Sequence, residues 1–454
     1  MKDAILDALA HSRAGYGELR MRRVWSSQVL IRNREVAAAG SAHETAGHAR
    51  CCSPGTGWGS VGFSGTDRLG SRLLKAHELS LAGGSRVPIA LAPVPIRQLE
   101  LSDALPDDPR DVPLAAKRRR AEQLAEALFA TDRRIASGRV LCCDEVVETW
   151  LGTTEGTWIH ELRSAVSIAV LAIAEESGSV ERALGSLAEP GGWRAGDRTE
   201  LARNVARTAV EQLHAKPVRP GRYSVVLDPA AAGALVHRAV THLARPALPG
   251  ADPDVLPIGT RIGPDCLTAG DDPAAESLLA SGACDDEGTA TRRSVVIQNG
   301  MVLGHLHSRE TAGASGLAPT GHARAGTLRG SPFPRASNSY LAPGQGTLDD
   351  LLVGVTSGVY CSDVLCCEES GDQVSLRAAR ARMIRDGRLA EPVKGVELGG
   401  DLLALLGRVD VVGGDFAWDK SAARCRDGSA GLVRVSTGAP HLRLVDVPVG
   451  AGVA

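Results

Sequence analysis

The dipeptide Asp228-Pro229 sets the tightest local constraint in this 454-residue chain. It separates a β-branched run at 223–227 from an alanine- and leucine-rich stretch that ends near Arg245-Pro246. Aspartate is a good helix N-cap, and proline fits the first helical position, where its missing N–H would be unpaired anyway. The segment therefore reads as a strand turning directly into a helix. His237 and His242 lie on that helix, with Arg238 beside the first. Two imidazoles on one short helix are candidate ligands for a transition metal, above all zinc. A spacing of five places them about 140° apart on a regular helix, at roughly 100° per residue. Spacing alone favours ordinary helix histidines. Shared ligation requires a π-bulge or a loosened turn.

The rest of the composition narrows the class. The length allows two or three domains with a sizeable core. Aromatic residues make up only 3% of the chain, so small aliphatic side chains must fill that core, and 52 glycines imply many turns and much β structure. With 51 basic and 53 acidic residues intermixed, no basic stripe supports nucleic-acid binding. The run Lys117-Arg118-Arg119-Arg120 opens an amphipathic helix and reads as a solvated face. The start of the chain is amphipathic, and the longest apolar run, 165–174, is too short to span a bilayer, which predicts a cytoplasmic protein away from membranes. The adjacent pairs among the ten cysteines, such as Cys142-Cys143, suit neither disulfides nor tetrahedral ligation and read as reduced core residues.

Periodicity predicts an α+β fold. In the first part, helices at the N-terminus, 71–82, 115–136 and 197–214 pack on a mostly antiparallel sheet. The sheet includes a hairpin of 20–30 with 31–39, with Asn33 near its turn, and another of 139–150 with 157–175. The glycine-rich stretch 55–63 lacks the lysine and hydroxyl of a phosphate loop and reads as a turn and strand. His160-Glu161 has no second histidine at metal-ligand spacing and sits in a strand pattern. Proline-rich 216–220 marks a boundary, giving domains 1–217 and 218–454. The second domain reads as a large antiparallel β region carrying the histidine helix. It holds a hairpin about Asn299-Gly300, further strands at 374–380 and 381–384 before Arg385-Asp386-Gly387, and short helices at 347–357 and 399–406.

The histidine helix resembles the active-site segment of the TldD/PmbA family of metallopeptidases, whose metal-binding members carry His-Glu-x-x-x-His. Further pieces follow in the family's order: Asp285-Asp286-Glu287-Gly288-Thr289, Arg335 to Gly344, Ala390 to Gly395, Val409 to Asp415, and Cys425 before the last strand. The resemblance covers most of 130–450. It implies a zinc site of His237, His242 and Cys425, two nitrogens and one thiolate with an open fourth position, as in catalytic zinc sites. It also places Arg238 where the family has its glutamate general base. Arginine stays protonated and cannot take a proton from water. A guanidinium beside a dication weakens metal binding unless it turns away or pairs with an acid. Three functions remain open: a modified hydrolase of C–N bonds in peptide-like substrates, a degenerate TldE-like subunit supporting an active partner, and a biosynthetic C–N-cleaving enzyme for a small modified peptide. The family's habit of pairing related chains implies a homo- or hetero-oligomer. Strand addition to a sheet edge would suit an extended peptide.

Overall fold

A computed structural model describes residues 1–53, 55–82, 89–101, 105, 107–193, 198–243, 246, 256–426 and 431–451; the side chains of residues 242, 243, 426 and 451 lie outside this description. The first part is built on long strands: β1 (Tyr16–Arg32), β2 (Glu35–Cys52), β3 (Trp58–Ser64), β4 (Gln98–Leu101), β5 (Ile135–Thr153), β6 (Trp158–Glu176) and β7 (Ser179–Pro190). Their order is β3-β2-β1-β5-β6, and the outer edge of β6 is shared by β4 and β7. Asn33 turns the first hairpin in the left-handed region, at φ +59°. Helices α1 (Lys2–Ala10), α2 (Leu69–Ala82), α3 (Leu114–Thr131) and α4 (Thr199–His214) accompany this sheet.

Alternation along the strands gives this sheet two different faces. Leu19, Met21, Val29 and Ile31 of β1 face the helices and enter two apolar clusters with them. Glu18, Arg20, Arg22, Val24 and Ser26 point the other way. The expected helix at 115–136 ends earlier, because Asp132 accepts the backbone N–H of Arg134 at 2.9 Å and Ile135 already belongs to β5. The solvated reading of 117–120 holds for Arg118 and Arg119 only. Lys117 is buried, bonding Asp144 and Ser27 between α3 and the sheet.

The second part contains β8 (Lys216–Pro217), β9 (Gly221–Leu227), α5 (Pro229–Leu243), β10 (Ala269–Asp271), β11 (Ser294–Gln298), β12 (Met301–Val302), α6 (Arg309–Ser315), β13 (Ala323–Arg324), β14 (Phe333–Pro334) and β15 (Asn338–Leu341). After these come α7 (Leu348–Leu352), β16 (Ser357–Ser370), β17 (Gln373–Arg385), β18 (Arg388–Lys394), β19 (Val396–Asp401), α8 (Leu402–Leu406) and β20 (Val409–Val412). The chain closes with β21 (Ala417–Asp419), β22 (Arg424–Arg426), β23 (Leu432–Arg434), β24 (Ser436–Ala439) and β25 (Leu442–Ala451).

Strands β16, β9, β25, β19 and β17 pair in a closed ring, with β18, β8 and β20 attached. A second sheet runs β12-β11-β10-β15-β24-β21. Pairing is mostly antiparallel, with β9–β16, β8–β18 and β15–β24 parallel. Residues 374–384 form one strand rather than two; the hairpin turns at Asp386-Gly387, both at positive φ. The helix expected at 347–357 stops at Leu352, since Val353 is extended and Gly354 adopts φ +77°. The helix expected at 399–406 starts at Leu402, after β19. Among the described residues no helix is long and apolar enough to cross a membrane.

Candidate functional site

Helix α5 sits between the strand ring and the second sheet. Ala231, Ala232, Leu235, Val236, Ala239 and Val240 join the main apolar cluster, so the helix is buried on nearly every side. Its start is fixed as the sequence implies. Asp228 Oδ1 accepts the N–H of Ala231 at 2.8 Å and Oδ2 that of Asp363 at 2.9 Å, while burial pushes its carboxyl above the ordinary range. Gly233 lets α5 approach β24, because a Cβ there would lie 2.9 Å from Thr437 Oγ1.

One turn beyond Gly233, His237 is 5% exposed. Its Nδ1 lies 2.9 Å from Ser339 Oγ, and Ser339 donates to Asp271 Oδ2 at 3.0 Å. Asp271 and Ser339 stand opposite each other on β10 and β15. Burial would raise the Asp271 carboxyl, but His322, the Ser337 N–H and Ser339 together hold it below the ordinary range. His322 Nε2 lies 3.2 Å from Asp271 Oδ1, off the line of a well-formed hydrogen bond. His237 Nε2 is buried and has no hydrogen-bond partner among the described residues. Such an atom costs about 1–3 kcal/mol unless something binds it. Burial, then Arg238, lowers the His237 pKa to about 4, so the imidazole is neutral. A neutral ring with a free nitrogen fits a metal ligand.

The other expected site residues are arranged differently. The Arg238 guanidinium turns to β16, donating to the Cys367 carbonyl at 2.6 Å and lying 3.8 Å from Glu369. It both turns aside and faces an acid, the two conditions under which arginine tolerates a neighbouring dication. Helix α5 is α-helical throughout Pro229–Leu243, so a regular helix sets positions 237 and 242 about 140° apart. The His242 side chain lies outside the described residues; its backbone occupies the last turn, where helices loosen most readily. Cys425 is on the hairpin of β22 and β23, its side chain packed with Val433 and Val435 and its carbonyl accepting from Arg335 at 3.1 Å. Among the described residues no group of three histidine, cysteine or acidic side chains forms a metal cluster.

A cleft of about 1130 Å³ opens between the charged face of the first sheet and the second part of the chain. Arg20, Arg22, Glu145 and Glu161 form its floor; Ser337, and Arg424, Val433 and Arg434 around Cys425, belong to its opposite wall. The acidic turn at 285–289 ties the two sides together. Asp286 pairs with Arg22, and Glu287 bonds Arg50 at 2.8 Å, which also bonds Glu18 at 3.0 Å. Sequence reasoning missed Asp271, Ser339 and this charge network. Ser339 lies within the family-like stretch from Arg335 to Gly344, whereas Asp271 carries no sequence signal.

The two-part fold, with a buried imidazole nitrogen unpartnered among the described residues and a cleft between the parts, is that of a metallopeptidase-type family. The chain belongs to the PmbA/TldD metallopeptidase family: residues 107–216 match the PmbA/TldA metallopeptidase central domain, and residues 220–451 match the PmbA/TldA metallopeptidase C-terminal domain. It is 31% identical to a metalloprotease of Synechocystis sp., over 98% of this chain and 96% of that protein. It is 23% identical to a zinc metalloprotease TldD homolog of Saccharolobus solfataricus, over 96% and 97% respectively. Its fold matches the crystal structure of TldE from Thermococcus kodakarensis with a TM-score of 0.76 at 15% identity, covering 99% of each chain.

Proposed function

We propose that this chain is a metal-dependent hydrolase that cuts C–N bonds in peptides or peptide-like substrates, with zinc held by His237, His242 and Cys425. The carrying observation is the buried, unpartnered Nε2 of a neutral His237. The name of the Saccharolobus relative supports zinc as the ion. When bound, zinc supplies Lewis acidity to the scissile carbonyl and to the attacking water. The chain's own residues do the rest. The cleft, lying between proposed domains 1–217 and 218–454, receives an extended segment. Arg238 is held by β16, so the proton acceptor for the attacking water comes from outside α5. A related partner chain, in the cytoplasm, is the proposed source of that group.

Elemental analysis of the purified chain tests this reading. The expected result is about one zinc per chain, lost in His237→Ala and Cys425→Ala. Zinc retained by both variants, or absent from the unaltered chain, would sink the ligand assignment.

A second reading is favoured by Arg238 itself: the chain is a catalytically degenerate, TldE-like subunit that supports an active partner. Arg238→Glu combined with Glu369→Gln, which removes the facing acid, separates the two. A gain of cleavage of unfolded peptides favours the hydrolase. Zinc-loaded but inert protein favours the subunit.

A further inference from the structure

We infer that Asp271 and Ser339 are positioning residues that lock His237 in the tautomer protonated on Nδ1 and so hold Nε2 bare for the metal. This inference rests on the reading of His237 as a ligand, but its first test does not need the metal.

The argument is one of counting protons. The Ser339 hydroxyl has one hydrogen and two lone pairs. Its oxygen lies 3.0 Å from Asp271 Oδ2 and 2.9 Å from His237 Nδ1. Asp271 Oδ2 also receives the Ser337 N–H at 3.0 Å, and Oδ1 receives that same N–H at 2.8 Å and the N–H of Asn338 at 3.2 Å. Oδ2 already accepts the Ser337 N–H and is an acceptor toward Ser339 as well. Ser339 therefore spends its hydrogen on Asp271. One of its two lone pairs faces His237, so Nδ1 must carry the hydrogen that fills the contact. A neutral imidazole protonated there has its free lone pair on Nε2.

The arrangement is rigid. Asp271 and Ser339 are both 0% exposed and are paired across β10 and β15, and β15 in turn pairs with β24, against which Gly233 brings α5. Metal-bound histidines commonly donate their second nitrogen to a carboxylate or carbonyl, which fixes the ring and strengthens the ligand. Here a serine is inserted between carboxylate and ring. That insertion makes the direction of two hydrogen bonds depend on one buried charge.

Asp271→Asn should reverse it. The Ser337 and Asn338 N–H groups keep the amide oxygen at the Oδ1 position, which puts the amide NH₂ toward Ser339. The serine then receives from this new amide and gives its own hydrogen to His237 Nδ1, moving the ring proton to Nε2.

The test uses the full-length, metal-stripped chain with ¹⁵N-labelled histidine, in which a long-range ¹⁵N–¹H spectrum reports which ring nitrogen is protonated. His237→Gln assigns the resonance. The unaltered chain is expected to show Nδ1 protonated and Nε2 bare, and Asp271→Asn the reverse. Ser339→Ala, a milder change should Asp271→Asn fold poorly, is expected to give a mixture of tautomers. Competition with a chromophoric chelator should then show zinc affinity about 10–100-fold lower in both variants, the range set by the loss of such partners. Nε2 protonated in the unaltered chain overturns the inference. So does an unchanged tautomer and zinc affinity in both variants. A locked tautomer in a chain that binds no zinc leaves the positioning intact and removes the metal reading instead.

Discussion

Two buried polar centres of this molecule are solved in opposite ways. At Arg50, every strong group is answered: Glu18 and Glu287 flank the guanidinium, Tyr16 donates to Glu18 at 2.8 Å, and Glu287 also accepts the Arg309 N–H at 2.8 Å. At His237, a chain of donors and acceptors runs from Asp271 through Ser339 and stops at a nitrogen with no described partner. The first joins the two sides of the cleft. The second is left open on one atom, His237 Nε2, as the proposed ligand role requires. A buried charge with all its partners is structure; a buried lone pair without one is capacity to bind.

The sharpest way to break this contrast is to remove one member from each centre. Arg50→Met would strand two buried carboxylates and should cost about 3–5 kcal/mol, read by chemical denaturation. His237→Gln should cost far less, since it removes a group that already lacks one bond. Equal losses would show that His237 is as structural as Arg50.

Titration should sharpen it next. Burial, then Arg238, depresses His237 to about 4; burial, then Arg20, depresses His48 to about 3. Both are neutral when folded, and the unfolded chain takes up protons first, below about pH 6.5. Their contribution is present above that pH and is lost as pH falls towards 4 and 3. Burial alone would raise Glu18, but Arg50 outweighs it and holds the carboxyl low. Its contribution persists down to about pH 4.3 and is lost only below. Melting temperature should therefore fall in two stages on acidification. His237→Gln should flatten the upper one, and an unchanged upper stage would contradict the neutral imidazole.

Gly233→Ala is expected to have a smaller effect. The added carbon meets Thr437, at about 1–3 kcal/mol for overpacking, against up to about 1 kcal/mol gained in helix propensity. A net stabilisation would mean that α5 has room to move. The smallest change is expected from Arg222→Ala, which removes an exposed pair with Asp446 and should leave the denaturation midpoint unmoved.

How much of this was legible follows from the range of each interaction. Helix α5 was readable with its cap because Asp228, Pro229 and Ala231 act within four residues. The first two hairpins were readable because long alternating runs repeat one pattern many times. Lys117 departs from its local pattern for the opposite reason. Nothing beside it in the chain announces Asp144, which reaches it only through the fold. Strand β7 has no clear local signal, because its run of Ser179–Pro190 is mixed in polarity and gains its partner only along β6.

The candidate site divides in the same way. The sequence by itself determined the α+β class, the helix that carries His237, Arg238 and His242, and the family's order of motifs, since these depend on local backbone preference and periodic polarity. Only the tertiary structure decided that Arg238 turns to β16, that the acidic turn at 285–289 binds the first sheet, and that Ser339 and Asp271 stand behind His237. Asp271 and Ser339 are 68 residues apart in the chain. What a side chain can do chemically is set by which groups share its burial, and strands so distant are brought side by side only when the sheets close around α5.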